Sequence, residues 1–189
     1  MPLAPLPYAT LDALLRRELR REEHAPTAEL MRALRHVRRR GRFSRREFLL
    51  MCRWKSPRAR PRYERNPAAA IRRVSAAVLA ARSERRRLEL LRTLSGVGVP
   101  VASAILTLID PRRYGVLDIR AWQVLFALGL VTTRPGGAGF GAGDWERYLA
   151  ILRRHAAVLH VPVRTVERTL FLCHRRFQVG RVYDRAARR

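Results

Sequence analysis

Leu94-Ser95-Gly96-Val97-Gly98-Val99-Pro100-Val101-Ala102-Ser103-Ala104-Ile105-Leu106 decides the fold. Two glycines one residue apart separate an apolar helical run ending in Leu90, Leu91 and Leu94 from a second run of small and apolar residues. A turn that tight needs residues that can take positive φ and bring backbone close to another molecule, which glycine does without steric cost. The pattern predicts a helix over about 84–93 capped by Ser83, a hairpin, and a second helix from Pro100 to near Asp110-Pro111, a helix-hairpin-helix unit over 84–109. The hairpin amides and the N-terminus of the second helix would face outward as donors for an anion such as a phosphate.

Upstream, Leu11, Leu14, Leu15 and Leu19 form an apolar stripe behind the cap Thr10, and Leu30, Leu34 and Val37 form another behind Thr27. Ser44-Arg45-Arg46-Glu47 is a capping box for a helix through Phe48, Leu49 and Met51. Asn66-Pro67 reads as an N-cap followed by proline, opening a helix with Ile71, Val74, Val78 and Leu79 on one face. Downstream, Asp118 caps a helix carrying Ile119, Trp122, Leu125 and Phe126 that stops at Gly129. Two more helices are expected at about 144–158, capped by Asp144, and 163–178. No strand pattern stands out. The expected fold is all-α, with about eight to ten helices in two closely packed lobes forming one unit over residues 1–189. Three stretches read as irregular: an ordered basic loop at 53–66, a mobile glycine-rich segment at 134–143 and a frayed basic tail at 181–189.

Forty Lys+Arg against fifteen Asp+Glu leave a net charge of +25 on 189 residues. An excess of this size points to a polyanionic partner, with binding that falls steeply as salt rises. Arginine-favouring codons account for the choice of Arg over Lys rather than for the net charge. Against that background Lys55 is the single lysine of the chain. Lysine can lose its proton and act as a nucleophile or Schiff-base former, whereas a guanidinium cannot. The plainer readings of Lys55 are chance survival and a phosphate contact. Cys52 and Cys173 lie far apart with no CxxC spacing, which argues against an iron–sulfur cluster, a zinc knuckle or a disulfide framework. The histidines follow no metal-ligand spacing, and His24 and His36 read as solvated. No apolar run of about 18 residues is present, and Met1-Pro2-Leu3-Ala4-Pro5 lacks the pattern of a secretory signal. A cytoplasmic, nucleoid-associated monomer with no membrane partner is expected.

After the hairpin the chain reads Pro111-Arg112-Arg113-Tyr114-Gly115-Val116-Leu117-Asp118-Ile119-Arg120-Ala121-Trp122. Together with the hairpin, over about residues 88–125, it resembles the helix-hairpin-helix DNA glycosylases, the superfamily of endonuclease III and the 8-oxoguanine and alkyladenine glycosylases. In that superfamily a hairpin of the form L-x-G-V-G-x-x-x-A is followed about twenty residues later by a short apolar stretch and an essential Asp. Gly98 to Asp118 has that spacing, and Val116-Leu117-Asp118 has that pattern. The resemblance implies a duplex DNA partner carrying a lesion or mismatch, and a target base that leaves the stack. It implies that Asp118 stabilises positive charge on the sugar and positions water. It further implies DNA contacts at Leu94, Gly96, Val97 and Gly98, with Arg58 and Arg120 as additional ones, and a monovalent cation at the hairpin carbonyls. The plainer reading of Asp118 is an ordinary helix N-cap.

One position departs from the superfamily. Members that also cleave the backbone carry lysine two residues after the second glycine, where this chain has Pro100. The ordinary lyase route is therefore closed, and the expectation is a monofunctional glycosylase using Asp118 and water. Lys55 stands as an alternative amine from another element, which would make the protein an abasic-site lyase. Trp54, Tyr63 and Tyr114 are candidate aromatics for a base pocket, whereas Trp122, Phe126, Trp145 and Tyr148 fall at core spacings. The alternative from another class is a non-catalytic module that binds nucleic acid through the hairpin alone. Asp118 separates the two, because a pure binder has no need of a carboxylate close to a polyanion.

Overall fold

Eleven α-helices and one 3-10 turn run through residues 3–182, which the computed structural model describes; the tail expected to fray lies, beyond Val182, outside the described residues. The order is α1 (Leu11–Glu18), α2 (Ala25–Leu34), α3 (Val37–Arg40), α4 (Arg45–Lys55), the 3-10 turn Pro57–Ala59, α5 (Arg60–Glu64), α6 (Ala68–Ala80), α7 (Glu84–Arg92), α8 (Val99–Ile109), α9 (Ile119–Ala127), α10 (Ala142–Val158) and α11 (Val163–Phe177). Among the described residues no sheet forms, and the one extended pairing is an isolated bridge from Leu3 to Gln178. None of these helices is long and apolar enough to cross a membrane.

Local signals set most helix starts. Thr10 accepts from the Ala13 amide and Ser83 from that of Arg86, while Ser44 and Glu47 close a reciprocal capping box. Three expected caps are put to other uses. Thr27 lies inside α2, where its hydroxyl meets the indole of Trp54. Asp144 sits in the first turn of α10 and accepts from the Gly141 amide. Asn66 precedes the capping Pro67 and turns inward to the hairpin. The expected basic loop at 53–66 is instead the end of α4, the 3-10 turn and α5. Pro57 and Pro61 stand in the first turns of these short segments, where the missing N–H costs nothing. The glycine-rich stretch is also anchored: the Trp122 indole donates to the carbonyls of Thr133 and Arg134, and Gln123 donates to that of Gly136.

The apolar sequence of α8 explains its place. From Val101 to Ile109 every residue is buried, as expected of a helix hydrophobic on all sides. The helices α2, α4, α7 and α10 pack around it, while α9, α10 and α1 lie on α11. One continuous apolar cluster joins the two groups. Ile105→Ala at its centre is expected to cost about 2–5 kcal/mol.

Candidate active site

Lys55 is brought inward by the periodicity of α4. Phe48, Met51 and Cys52 form its buried stripe, and position 55 falls on the same face at the end of the helix. Its Nζ donates to Asp118 Oδ2 at 2.6 Å, with both side chains mostly withdrawn from solvent. Asp118 does cap α9, since its Oδ1 accepts from the Arg120 amide at 2.8 Å. The strand-like approach to it is pinned on three sides. The Leu117 amide donates to Ser103 Oγ on α8, Tyr148 on α10 donates to the Val116 carbonyl, and the Val116 amide meets Glu167 on α11. Gly115 permits this approach: a Cβ there would stand 2.7 Å from that of Glu167. Burial works to raise the Asp118 pKa, but the Lys55 ammonium and the Arg120 amide outweigh it and hold the carboxyl below its ordinary range.

Asp118 and Lys55 open into a cavity of about 500 Å³ whose other walls come from α11, α2 and the link between α1 and α2. Arg164 dominates that wall. It donates to Glu23 at 2.7 Å and bonds to Glu167, while its guanidinium lies 5.5 Å from the centre of the Trp54 ring. Arg168 also reaches Glu23, at 3.1 Å. Burial lifts Glu167 above the ordinary carboxylate range despite Arg164 and the Val116 amide. Glu23 is held below it, because Arg164 and Arg168 overcome its burial. The Arg120 guanidinium stacks 5.4 Å from the centre of Phe171 and donates to Gln178.

The hairpin is built against α5. Gly96 has φ +82°, and a Cβ on it would lie 2.8 Å from the ring of Tyr63. The close backbone approach that requires glycine at 96 is thus internal, whereas Gly98, the N-cap of α8, is exposed. Asn66 fixes the turn from the side. Its Oδ1 accepts from the Ser95 amide at 2.8 Å and its Nδ2 donates to the carbonyls of Ser95 and Tyr63. The segment that ends in this clamp begins at Lys55, so one stretch of chain sets both the amine and the hairpin.

Of the candidates for a base pocket, Trp54 alone lines the cavity. Tyr63 is fully buried under the hairpin, and Tyr114 stacks on Trp145 and donates to Glu84, away from Asp118. Burial and Glu84 push the Tyr114 phenol up to about 12. Leu94 and Val97 are buried too, so their side chains are not offered to an external ligand; Arg58 is exposed on the 3-10 turn and Arg120 is in the cavity wall. The carbonyls of Leu94, Ser95 and Gly98 accept from Val97, Asn66 and the first turn of α8. Sequence reasoning missed Arg164, Glu167, Glu23, Phe171 and the clamp Asn66. One signal was present: Val163, Val166, Glu167, Leu170 and His174 share one face of α11, placing an acid and a histidine at core positions. His174 is fully buried against Gln123, and burial, with Arg120 nearby, lowers its pKa to about 4. No family model matches the chain, and no match was found among curated proteins or solved structures.

Proposed function

We propose that this protein is a DNA glycosylase that removes a damaged or mismatched base by cleaving the N-glycosidic bond. The observation that carries the reading is the 2.6 Å contact between the single lysine and the carboxylate twenty residues after the hairpin, in a cavity of about 500 Å³. That volume is in the range of small-ligand pockets. The charge of +25 supplies attraction for a duplex, and the exposed backbone at Gly98 with the start of α8 offers donors to a phosphate. The resemblance over residues 88–125 supports the same reading.

As the base departs with the glycosidic electron pair and takes up a proton, positive charge builds on the sugar. The ionised Asp118, in a site shielded from water, stabilises that charge and orients a water that adds at C1′ and gives up its proton. The contact with Lys55 favours a second reaction on the abasic product. The ammonium passes a proton to Asp118, and the amine adds to the C1′ aldehyde of the opened sugar. The adduct then loses water, taking that proton back, to leave a protonated imine. Asp118, ionised again, takes the C2′ proton, and the electron pair released breaks the C3′–O bond and expels the 3′-phosphate.

Duplexes containing single uracil, hypoxanthine, 8-oxoguanine or alkylated purines, or thymine opposite guanine, test the first step. Incubation followed by alkali is expected to break the strand at one or more of these positions. Tight binding to every duplex with no break in any would leave only a nucleic-acid-binding module. Borohydride on an abasic duplex is expected to trap a covalent adduct that Lys55→Ala abolishes. An adduct that survives the substitution removes Lys55 from the chemistry.

A further inference from the structure

The cavity's charge is one-sided. Five Lys and Arg side chains line it against three carboxylates, and resident cations already occupy each carboxylate. Asp118 is taken by Lys55, Glu167 by Arg164, and Glu23 by both Arg164 and Arg168. Each carboxylate charge is thus already partly balanced, and the cations of the wall outnumber the carboxylates. Both aromatic rings in the wall are committed as well. Arg164 lies over Trp54 and Arg120 over Phe171, so each ring already holds a guanidinium on one face.

On the donor side something is left over. Arg120 is oriented by Gln178 and Phe171, yet its Nε is buried with no partner. A buried charged donor without an acceptor is an unmade bond that a ligand oxygen completes. It stands two residues from Asp118, in the same wall.

We infer that the cavity selects neutral bases that present a carbonyl acceptor, such as deaminated or oxidised bases, and rejects cationic alkylated ones, with Arg120 reading the carbonyl. This deepens the glycosylase reading and rests on it for the nucleotide ligand. A cationic base would enter a wall with excess positive charge, whereas an exocyclic carbonyl would satisfy Arg120. An exocyclic amine in the same place would leave the donor facing a donor.

Binding of free nucleosides tests this without requiring catalysis. Deoxyinosine presents a carbonyl at C6 where deoxyadenosine presents an amine, with N1 changing from acceptor to donor beside it, and 1-methyldeoxyadenosine carries a positive charge. Titration of the protein is expected to rank them in that order, with deoxyinosine tighter than deoxyadenosine by about tenfold, as for a hydrogen bond to a charged donor. Arg120→Met should level the first two. Arg120→Lys, which keeps the charge but removes Nε, should do the same and guards against a folding defect in the methionine variant. Binding of 1-methyldeoxyadenosine as tight as that of deoxyinosine, or a full preference surviving in both variants, overturns the assignment. In duplexes, release of hypoxanthine or 8-oxoguanine but not of 1-methyladenine is expected. The nucleoside ranking with no release from any duplex would keep the pocket assignment and remove the excision reading.

Discussion

Asp118 and Glu167 stand in the wall of one cavity and are both withdrawn from water, yet their partners differ in kind. Asp118 is paired with a lysine at the last residue of α4, and Glu167 with an arginine one turn back on its own helix. A lysine can hand its proton to the carboxylate beside it, and an arginine cannot. In the proposed reaction the first pair moves a proton at the sugar; in the second, Glu167 also meets the Val116 amide and so ties α11 to the segment that presents Asp118. The contrast assigns chemistry to one carboxylate and architecture to the other.

The largest expected effect breaks the contrast at the chemical end. Asp118→Asn keeps the cap on α9 but removes the charge, and excision should fall by about 10²–10⁴-fold with duplex affinity retained. Glu167→Gln is expected to change the excision rate little in the same assay. Comparable losses in both variants would erase the distinction.

At the architectural end, Arg164→Met leaves Glu167 buried without its cation and Glu23 with Arg168 alone. Denaturant unfolding should show a stability loss of about 3–5 kcal/mol, the usual cost of stripping one partner from a buried pair. Lys55→Met should cost less, about 1–3 kcal/mol, because the Arg120 amide still serves Asp118. Lys55→Arg should recover that stability while leaving no adduct on borohydride treatment of an abasic duplex. An adduct in the arginine variant would mean that another amine attacks.

Why one pair could be anticipated and the other not follows from how each is encoded. The hairpin, Asp118 and Lys55 carry local marks: glycine spacing, a cap position and a single lysine in an arginine-rich chain. The all-α fold was legible for the same reason, since caps and apolar stripes are read over one or two turns. Tyr63 and Tyr114 lie near the right elements in sequence, but which face of a short helix or turn meets the core is decided by packing. Gly96 needs the Tyr63 ring beneath it, and Tyr114 is drawn to Trp145 and Glu84. Arg164 and Asn66 gain their roles from partners far along the chain, Glu23 and Ser95, and no local pattern announces them.

The smallest effect is the sharpest test of the contrast, because the two carboxylates should respond to pH with opposite sign. The Asp118 pKa is lowered by folding, so between its folded value and the ordinary 3.8 the unfolded chain binds more protons. Its stabilisation is therefore complete above that range and disappears as pH falls through the folded value. The Glu167 pKa is raised above the ordinary 4.5, so the folded chain binds more protons there, and stability declines as pH rises from 4.5 through the folded value. In unfolding free energies measured from acid to neutral pH, the deficit of Asp118→Asn relative to the parent should widen as pH rises. That of Glu167→Gln should narrow, because the substitution removes a carboxyl whose ionisation burial opposes. Parallel curves for the two variants would place both groups in one kind of environment and leave the lysine as the only difference between the pairs.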